Sequence, residues 1–500
     1  MTMCYKVSFQ PPGVPSRSVR HPAHIQIFFL LLLIAPITIT SSEWTKRSVR
    51  SVMNTEIDTK YVVICDAGSS GTRVIVYTLK PMSGELLDID TLISQGVRVQ
   101  KEVEPGLSTY ANKSAKVLDY ITPLVRFAEE NIPAQKLAET DLFIFATAGM
   151  RLIPENKKNL IIEKLQTGLK KLTALRVTDS NIRVIDGAWE GIYSWLTVNY
   201  VLGRFKRKST SRVGMIDMGG ASAQIAFEVP AQETSYSGAD IYEINLSASD
   251  VEDAFKFRVY SKSFLGYGIN EGLKKYEQSL VQSNTVNDSC SPEGMSKLIG
   301  ELQVTGTGEW NTCLERVSSL ICSSARTSCP SSTCFLNNVA APSVNLSNIE
   351  LYGFSEYWYT MNSFGAGGEY HYEQFTEAVR KYCHKNWNDI MEGYKRSEYP
   401  NGQIERLKTN CFKAAWLTAM LHNGFNVDET TNQFQSVLTI AGEKIQWALG
   451  AALYHSRDLK FVKKEEAEDH SKQPTTYFYL LCIMLIFVLG IVFYHQLQKS

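Results

Sequence analysis

The chain has 500 residues, and its 51 Lys and Arg balance its 51 Asp and Glu, so the formal net charge is zero. That balance excludes a generally basic nucleic-acid binder and an acidic disordered chain. The length exceeds one small core and implies two or three units at about 150 residues each.

An uncharged apolar run stands at 25–42, behind Arg17 and Arg20. It approaches the roughly 20 residues that cross a bilayer. We read it as an uncleaved signal anchor behind a cytosolic tail at 1–24. A cleaved signal peptide is the alternative, because the basic flank and short apolar core fit that too. A linker at 43–60 follows.

The folded part opens with VVICDAGSSGTRVIVYTL at 62–79, a strand, a small-residue turn and a strand. Residues 114–131 have helical apolar spacing, interrupted at Pro123. TDLFIFATAGMRL at 140–152 is a buried strand entering a small-residue loop, and Pro154 opens the next helix. The stretch 181–202 reads as a strand, a turn at Asp186-Gly187 and a helix. Trp189, Ile192, Tyr193 and Leu196 share one face of that helix. VGMIDMGGASAQIAFEV at 213–229 repeats the opening pattern. Strands alternating with helices imply an α/β fold, divided into lobes at 61–205 and 206–458.

The second lobe carries a Cys-rich elaboration at roughly 285–412, with helices expected at FTEAVRKYC and KAAWLTAMLH. Cys290, Cys313, Cys322, Cys329, Cys334, Cys383 and Cys411 fall there, whereas Cys65 is expected as a buried thiol. A translocated chain favours disulfides. Seven is odd, so one thiol is left over or pairs with another chain. Zinc binding by Cys329 and Cys334 is the alternative for that pair. Asn112, Asn245, Asn287 and Asn345 each begin a glycosylation sequon. A charged linker at 459–474 leads to a second uncharged apolar run, 475–494, and a tail at 495–500. Tyr477 and Tyr479 open this run as interfacial aromatics would. Two spans place both tails in the cytosol and 45–470 across the membrane.

The two hairpins align without a gap, Asp66-Ala67-Gly68-Ser69-Ser70-Gly71-Thr72 against Asp217-Met218-Gly219-Gly220-Ala221-Ser222-Ala223. Their spacing of about 150 residues, one domain, suggests duplication. Glycines and small side chains leave successive backbone N–H groups uncovered, a concavity suited to phosphate. The Asp ending each strand suits a divalent cation that keeps its waters. Two such loops facing each other would clamp a polyphosphate. Thr147 in ATAGMR offers a third donor. Glu190, in the first turn of its helix, is favoured as a carboxylate and could act as a general base.

The ordered set DAGSSGTR, FATAGMR, DGAWEGIYSW, IDMGGASAQIAF and FLGYGINEGLKKYE closely resembles the ecto-nucleoside triphosphate diphosphohydrolase (apyrase) family, over residues 60–455. The resemblance implies two duplicated ribonuclease-H-like lobes of the actin and hexokinase type, with nucleotide in the cleft between them. It implies that Glu190 activates water and that Ser222 and Gln224 position it. Asp66 and Asp217 would hold Ca²⁺ or Mg²⁺ through waters. Ser69, Ser70, Gly71, Thr72, Arg73, Thr147, Gly219, Gly220 and Ala221 would surround the phosphates. Trp358 or Tyr359, with Phe425, would sandwich the base.

Gly71, VLGRF, GTGEW, YGFSEYWY and EKIQWALGAALYH resemble the Golgi and lysosomal subgroup. There, cysteines of the Cys290–Cys313 and Cys383–Cys411 types pair. The expected activity is hydrolysis of nucleoside di- and triphosphates, UDP and GDP foremost, to monophosphates in the secretory-pathway lumen. A cell-surface apyrase acting on ATP and ADP is the runner-up. A kinase of the same superfold needs an acceptor pocket that the sequence does not reveal. A non-hydrolysing nucleotide-binding glycoprotein would be expected to lack Glu190, Ser222 or Gln224, and all three are present. GYGINEG has the wrong spacing for a dinucleotide fingerprint. A homo-oligomer is compatible with the sequence, and nucleic acid is not an expected partner.

Overall fold

The computed structural model describes residues 59–81, 86–205, 211–247, 255–321, 329, 333–399, 402–461 and 474–497. The apolar run at 25–42, its flanks and Cys322 lie outside the described residues. Two sheets organise the rest. The first contains β1 (Lys60–Ala67), β2 (Thr72–Lys80), β3 (Asp88–Thr91), β4 (Gln100–Val103), β5 (Asp141–Ala146) and β6 (Ile182–Val184). Its order is β3-β2-β1-β5-β6, with β4 also paired to β2. The second contains β7 (Gly214–Met218), β8 (Ser222–Glu228), β9 (Ile241–Asn245), β10 (Lys256–Leu265), β11 (Leu351–Ser355), β12 (Gly368–Glu369) and β13 (Phe434–Ser436), in the order β9-β10-β8-β7-β11-β13-β12. In each sheet two antiparallel pairings are followed by two parallel ones, β3-β2-β1-β5-β6 matching β10-β8-β7-β11-β13. The duplicated α/β architecture read from the hairpins is therefore present in the topology.

Both faces of the first hairpin are buried, which explains why its strands read as continuous apolar runs. Val63, Cys65, Val74 and Val76 face α1 (Val117–Glu130) and α3 (Glu155–Leu172), between which comes the helical turn α2 (Ala148–Arg151). Val62, Ile64, Ile75 and Tyr77 face the opposite way, toward α4 (Gly187–Val201). That alternation is the period-two geometry of a strand. Burial pushes the Cys65 thiol up to about 12, so it is an inert core group. Helix α1 runs through Pro123 instead of breaking there. The missing N–H falls opposite the carbonyl of exposed Asp119 in the first turn, while Ile121, Leu124 and Val125 hold the helix to the sheet.

The second lobe adds α5 (Ile269–Gln282), α6 (Trp310–Ile321), α7 (Glu356–Ser363), α8 (Tyr372–Cys383), α9 (Trp387–Lys395) and α10 (Ile404–Ala419) around one large core. The chain then returns through α11 (Trp447–Ser456) to pack on α4 and β1. Helices α4 and α11 share a core with residues of both sheets, among them Ile64, Met215 and Phe354. This is why α4 is buried nearly all round and not on the single face its sequence suggested. Trp195 and Leu196 are fully covered, and Trp189 is only half-buried.

Three disulfides stabilise the elaboration: Cys290–Cys313, Cys383–Cys411 and Cys329–Cys334, with Cα–Cα distances of 4.9, 5.8 and 5.9 Å. The first two are those expected. The third answers the zinc alternative, since the two sulfurs bond to each other. Asn112, Asn245, Asn287 and Asn345 all stand at exposed positions. The last helix, α12 (Pro474–Leu497), has 24 residues. Among its described side chains, Ile486 and Phe487 are 70% and 73% exposed. Taken alone, the residues with described side chains contain no helix long and apolar enough to cross a membrane.

The close approach of α4 and α11 depends on Gly450. A Cβ there would lie 2.0 Å from the Tyr193 carbonyl oxygen, a backbone atom that cannot swing aside. The Thr197 hydroxyl locks the same contact, accepting from Gly450 N at 2.8 Å and donating to Gln446 O at 3.1 Å. Gly450→Ala should force the helices apart and cost about 1–3 kcal/mol, the usual range for overpacking. A lowered thermal midpoint in the full-length protein checks this; an unchanged midpoint would show that the interface yields.

Candidate active site

The strand registers place the two small-residue turns at equivalent ends of the sheets. Ala67 pairs with Thr72, leaving Gly68–Gly71 as the first turn. Met218 pairs with Ala223, leaving Gly219, Gly220, Ala221 and Ser222 in the second. The turns meet across a cleft of about 270 Å³. A Cβ on Gly220 would lie 2.8 Å from Ser69 Oγ, and one on Gly149 would lie 2.8 Å from Ser69 Cα. Small residues are thus required where three loops converge.

Asp66, Ser69, Ser70, Gly71, Arg73 and Thr147 line the cleft from the first lobe, with Glu190 behind them. Asp217, Gly219, Gly220, Ala221 and Ser222 line it from the second. Gln224 stands just behind, its Nε2 donating to Ser222 Oγ at 2.5 Å and Ser263 Oγ at 3.2 Å. The GYGIN segment supports the second turn. Gly266, Ile269 and Asn270 N–H groups hold the carbonyls of Ala221, Gly219 and Gly220 at 2.8, 2.9 and 2.9 Å.

Glu190 is held in place by a residue the sequence reading missed. Arg151, at the end of the ATAGMR loop, forms an ion pair with Glu190 through Nη2. A second nitrogen, Nη1, donates to Ser263 Oγ at 3.3 Å. One continuous network therefore runs Glu190–Arg151–Ser263–Gln224–Ser222. Gly187 makes room for it, since a Cβ there would meet Arg151 Nη1 at 2.0 Å. Asp186 caps the helix, accepting from Ala188 N at 2.8 Å.

Charge in this cleft is expensive. Burial pushes Glu190 up to about 8; Arg151 opposes that, and Asp217 and Asp66 reinforce it. Burial raises Asp66 to about 6, against the pull of Arg73. Burial also raises Asp217, opposed by a hydrogen bond from Ser355. Asp217 Oδ1 and Gln224 Oε1 are buried with no hydrogen-bond partner among the described residues. An orphaned carboxylate oxygen beside a second buried aspartate fits a divalent cation. No group of three His, Cys, Asp or Glu placed to hold a metal ion directly exists among the described residues. Asp66 and Asp217 therefore suit a cation that keeps most of its waters.

Three expected residues stand elsewhere. Thr72 is fully buried on the far side of β2, because the strand alternation turns it toward the helix-covered face. Phe425 is fully buried between Phe264 and Phe335, with ring centroids at 5.7 and 5.8 Å, and is a core residue. Trp358 packs over Gly367 and does not line the cleft. Tyr359 does line it, 38% exposed, with the Arg406 guanidinium 5.0 Å from its ring. Arg73 reaches the cleft but is already bound to Glu102 by hydrogen bonds of 2.6 and 3.0 Å.

Duplicated lobes, facing glycine-rich turns and a buried carboxylate at their junction define a nucleotide-cleft phosphatase. The chain belongs to the GDA1/CD39 (nucleoside phosphatase) family, whose model matches residues 52–471. It is 62% identical over 472 residues to nucleoside-triphosphatase ntp-1 of Caenorhabditis elegans, covering 94% of this chain and 87% of the relative. It is 44% identical over 465 residues to nucleoside-diphosphatase mig-23 of the same organism, covering 86% and 84%. A crystal structure of nucleoside triphosphate hydrolases from Neospora caninum shares the fold, with a TM-score of 0.59 at 15% identity over 83% of this chain and 96% of that one.

The Arg151 contact makes a pH prediction. A Glu190 pKa raised to about 8 means the carboxyl keeps its proton to higher pH, so a reaction needing the carboxylate should slow as pH falls below that value. Arg151→Gln removes the opposing positive charge. The acidic limb of the kcat/KM profile should then move upward in pH. A limb that stayed in place would separate Arg151 from the ionisation of Glu190.

Proposed function

We propose that the chain removes the terminal phosphate of nucleoside di- and triphosphates, with Glu190 as general base. The observation that carries this reading is the network Glu190–Arg151–Ser263–Gln224–Ser222, set beside two phosphate-sized turns. The terminal phosphate lies between the turns, whose N–H groups and the Ser69, Ser70 and Thr147 hydroxyls donate to its oxygens. Ser222 and the orphaned Gln224 Oε1 orient a water in line with the phosphorus. Glu190 accepts the proton as that water attacks, and Arg151 favours the carboxylate form against burial and aims it. Ca²⁺ or Mg²⁺, held through waters by Asp66 and Asp217, would offset charge on the phosphate oxygens. Tyr359 would stack on the base. A receptor without hydrolysis has no use for a buried base joined to water-orienting groups.

We place this activity in the secretory-pathway lumen, at the Golgi membrane, with UDP and GDP as substrates. Three disulfides and four exposed sequons support a translocated chain. The 24 residues of α12 would span about 36 Å at 1.5 Å each, enough for a hydrocarbon core of roughly 30 Å. The apolar run at 25–42 would supply the second span. Protease protection in sealed microsomes and co-staining with Golgi markers test the placement. Digestion of the disulfide-rich region without detergent would sink it, and surface staining would favour an ecto-apyrase.

Glu190→Gln tests the mechanism. The amide keeps the size of the side chain but cannot accept the proton. Turnover should fall about 10²–10⁴-fold, the usual contribution of a positioned base, with folding and nucleotide binding retained. Near-normal kcat in a folded preparation would remove Glu190 from that role.

A further inference from the structure

Two cations line the phosphate cleft, Arg73 and Lys444. Arg73 is committed to Glu102 and stands 3.8 Å from Asp66. Lys444 is half-buried and forms no ion pair among the described residues. Burial and the neighbouring Arg73 both lower its proton affinity, with Glu102 opposing. The nearby Glu102 carboxylate is hydrogen-bonded to Arg73, so the half-buried ammonium has no close counter-ion of its own among the described residues, and a phosphate oxygen is a natural partner for it.

Two hairpins from different parts of the chain fix where Lys444 sits. Thr439–Ile440 pairs with Glu443–Lys444, and the turn residues Ala441 and Gly442 have φ of 51° and 81°. Ile93–Ser94 pairs with Val97–Arg98, and Gln95 and Gly96 have φ of 51° and 79°. Positive φ at both central residues is the tight turn that suits strand twist. The first-lobe hairpin grips the tip of the other. Arg98 donates to both Glu443 carboxylate oxygens at 2.6 and 2.8 Å and to the Gly442 carbonyl at 2.8 Å. A bidentate guanidinium–carboxylate pair fixes direction as well as distance. The clasp joins residues 345 positions apart and brings the next residue, Lys444, to the cleft wall.

We propose that Lys444 binds a non-transferred phosphate of the nucleotide and that the Arg98–Glu443 clasp positions it. This rests on the reading of the cleft as a nucleotide site. The transferred phosphate must lie against buried Glu190, whereas half-exposed Lys444 neighbours Arg73 and Glu102. Lys444 therefore meets the part of the substrate that does not change during the reaction. Such a contact lowers KM without raising kcat.

Phosphate release by the full-length protein from a nucleoside diphosphate is the test. Lys444→Ala should raise KM about 10–100-fold, the range for a hydrogen bond to a charged group, with kcat nearly unchanged. Lys444→Arg should restore most of the loss, and Lys444→Gln should behave as the alanine variant does. Glu443→Gln should raise KM less, and should add nothing in the Lys444→Ala background. Calorimetric binding of a non-hydrolysable diphosphate analogue should weaken by the same factor as KM rises. That measurement separates the two readings: a wild-type protein that binds the analogue through Lys444 yet releases no phosphate sinks the hydrolytic function and leaves this site intact. Unchanged KM and affinity in a folded Lys444→Ala protein overturn the role of Lys444. A Glu443→Gln effect that persists without Lys444 overturns the clasp.

Discussion

Three carboxylates share one cleft, and the burial of their charge is the constraint on which the site depends. Asp66, Asp217 and Glu190 are each driven toward the neutral form by burial, and Glu190 feels both aspartates as well. A cluster of this kind left to itself takes up protons. Among the described residues Glu190 has one direct countercharge, Arg151, and Asp217 Oδ1 has no hydrogen-bond partner. Small residues in the three converging loops keep the cleft open, since Cβ atoms on Gly149 and Gly220 would each come within 2.8 Å of Ser69.

The fold carries this charge arrangement on the helix pair between the sheets. Glu190 lies in the first turn of α4, and Arg151 reaches it from the loop after β5, while Ser263 and Gln224 come from β10 and β8. Both lobes therefore contribute to one hydrogen-bonded line. Because α4 packs on α11 and shares a core with residues of both sheets, rotating one lobe relative to the other would disturb that line and the shared core together.

Features that repeat or alternate locally were legible in the sequence. The two hairpins announced themselves by β-branched runs around Asp-x-Gly, and Glu190 by its position after a helix cap. Aromatic stacking was not legible. Tyr359 and Phe425 look alike as residues, and only packing shows that one faces the cleft and the other the core. Arg151 was visible as a letter in ATAGMR but not as a partner, since Glu190 is 39 positions away and Ser263 is 112. Lys444 was less visible still, because its placement depends on a contact spanning 345 positions. Pairings of that range are decided by tertiary structure, which local periodicity does not encode.

The duplicated hairpins also show how one scaffold position acquired two chemistries. Asp66 lies opposite Arg73 in the first hairpin, and Asp217 lies opposite Gln224 in the second. The register is the same, yet Arg73 reaches the cleft while Gln224 stands buried just behind it. In the first lobe that side chain is a cation, anchored by Glu102 and placed beside Asp66. In the second it is a neutral amide, joined through Ser263 to the Arg151–Glu190 pair. A glutamine in place of Arg73 would remove the cation 3.8 Å from Asp66. An arginine in place of Gln224 would break the link from Ser222 to Ser263. One position of the repeated hairpin thus supplies a countercharge in the first lobe and a hydrogen-bonded link in the second.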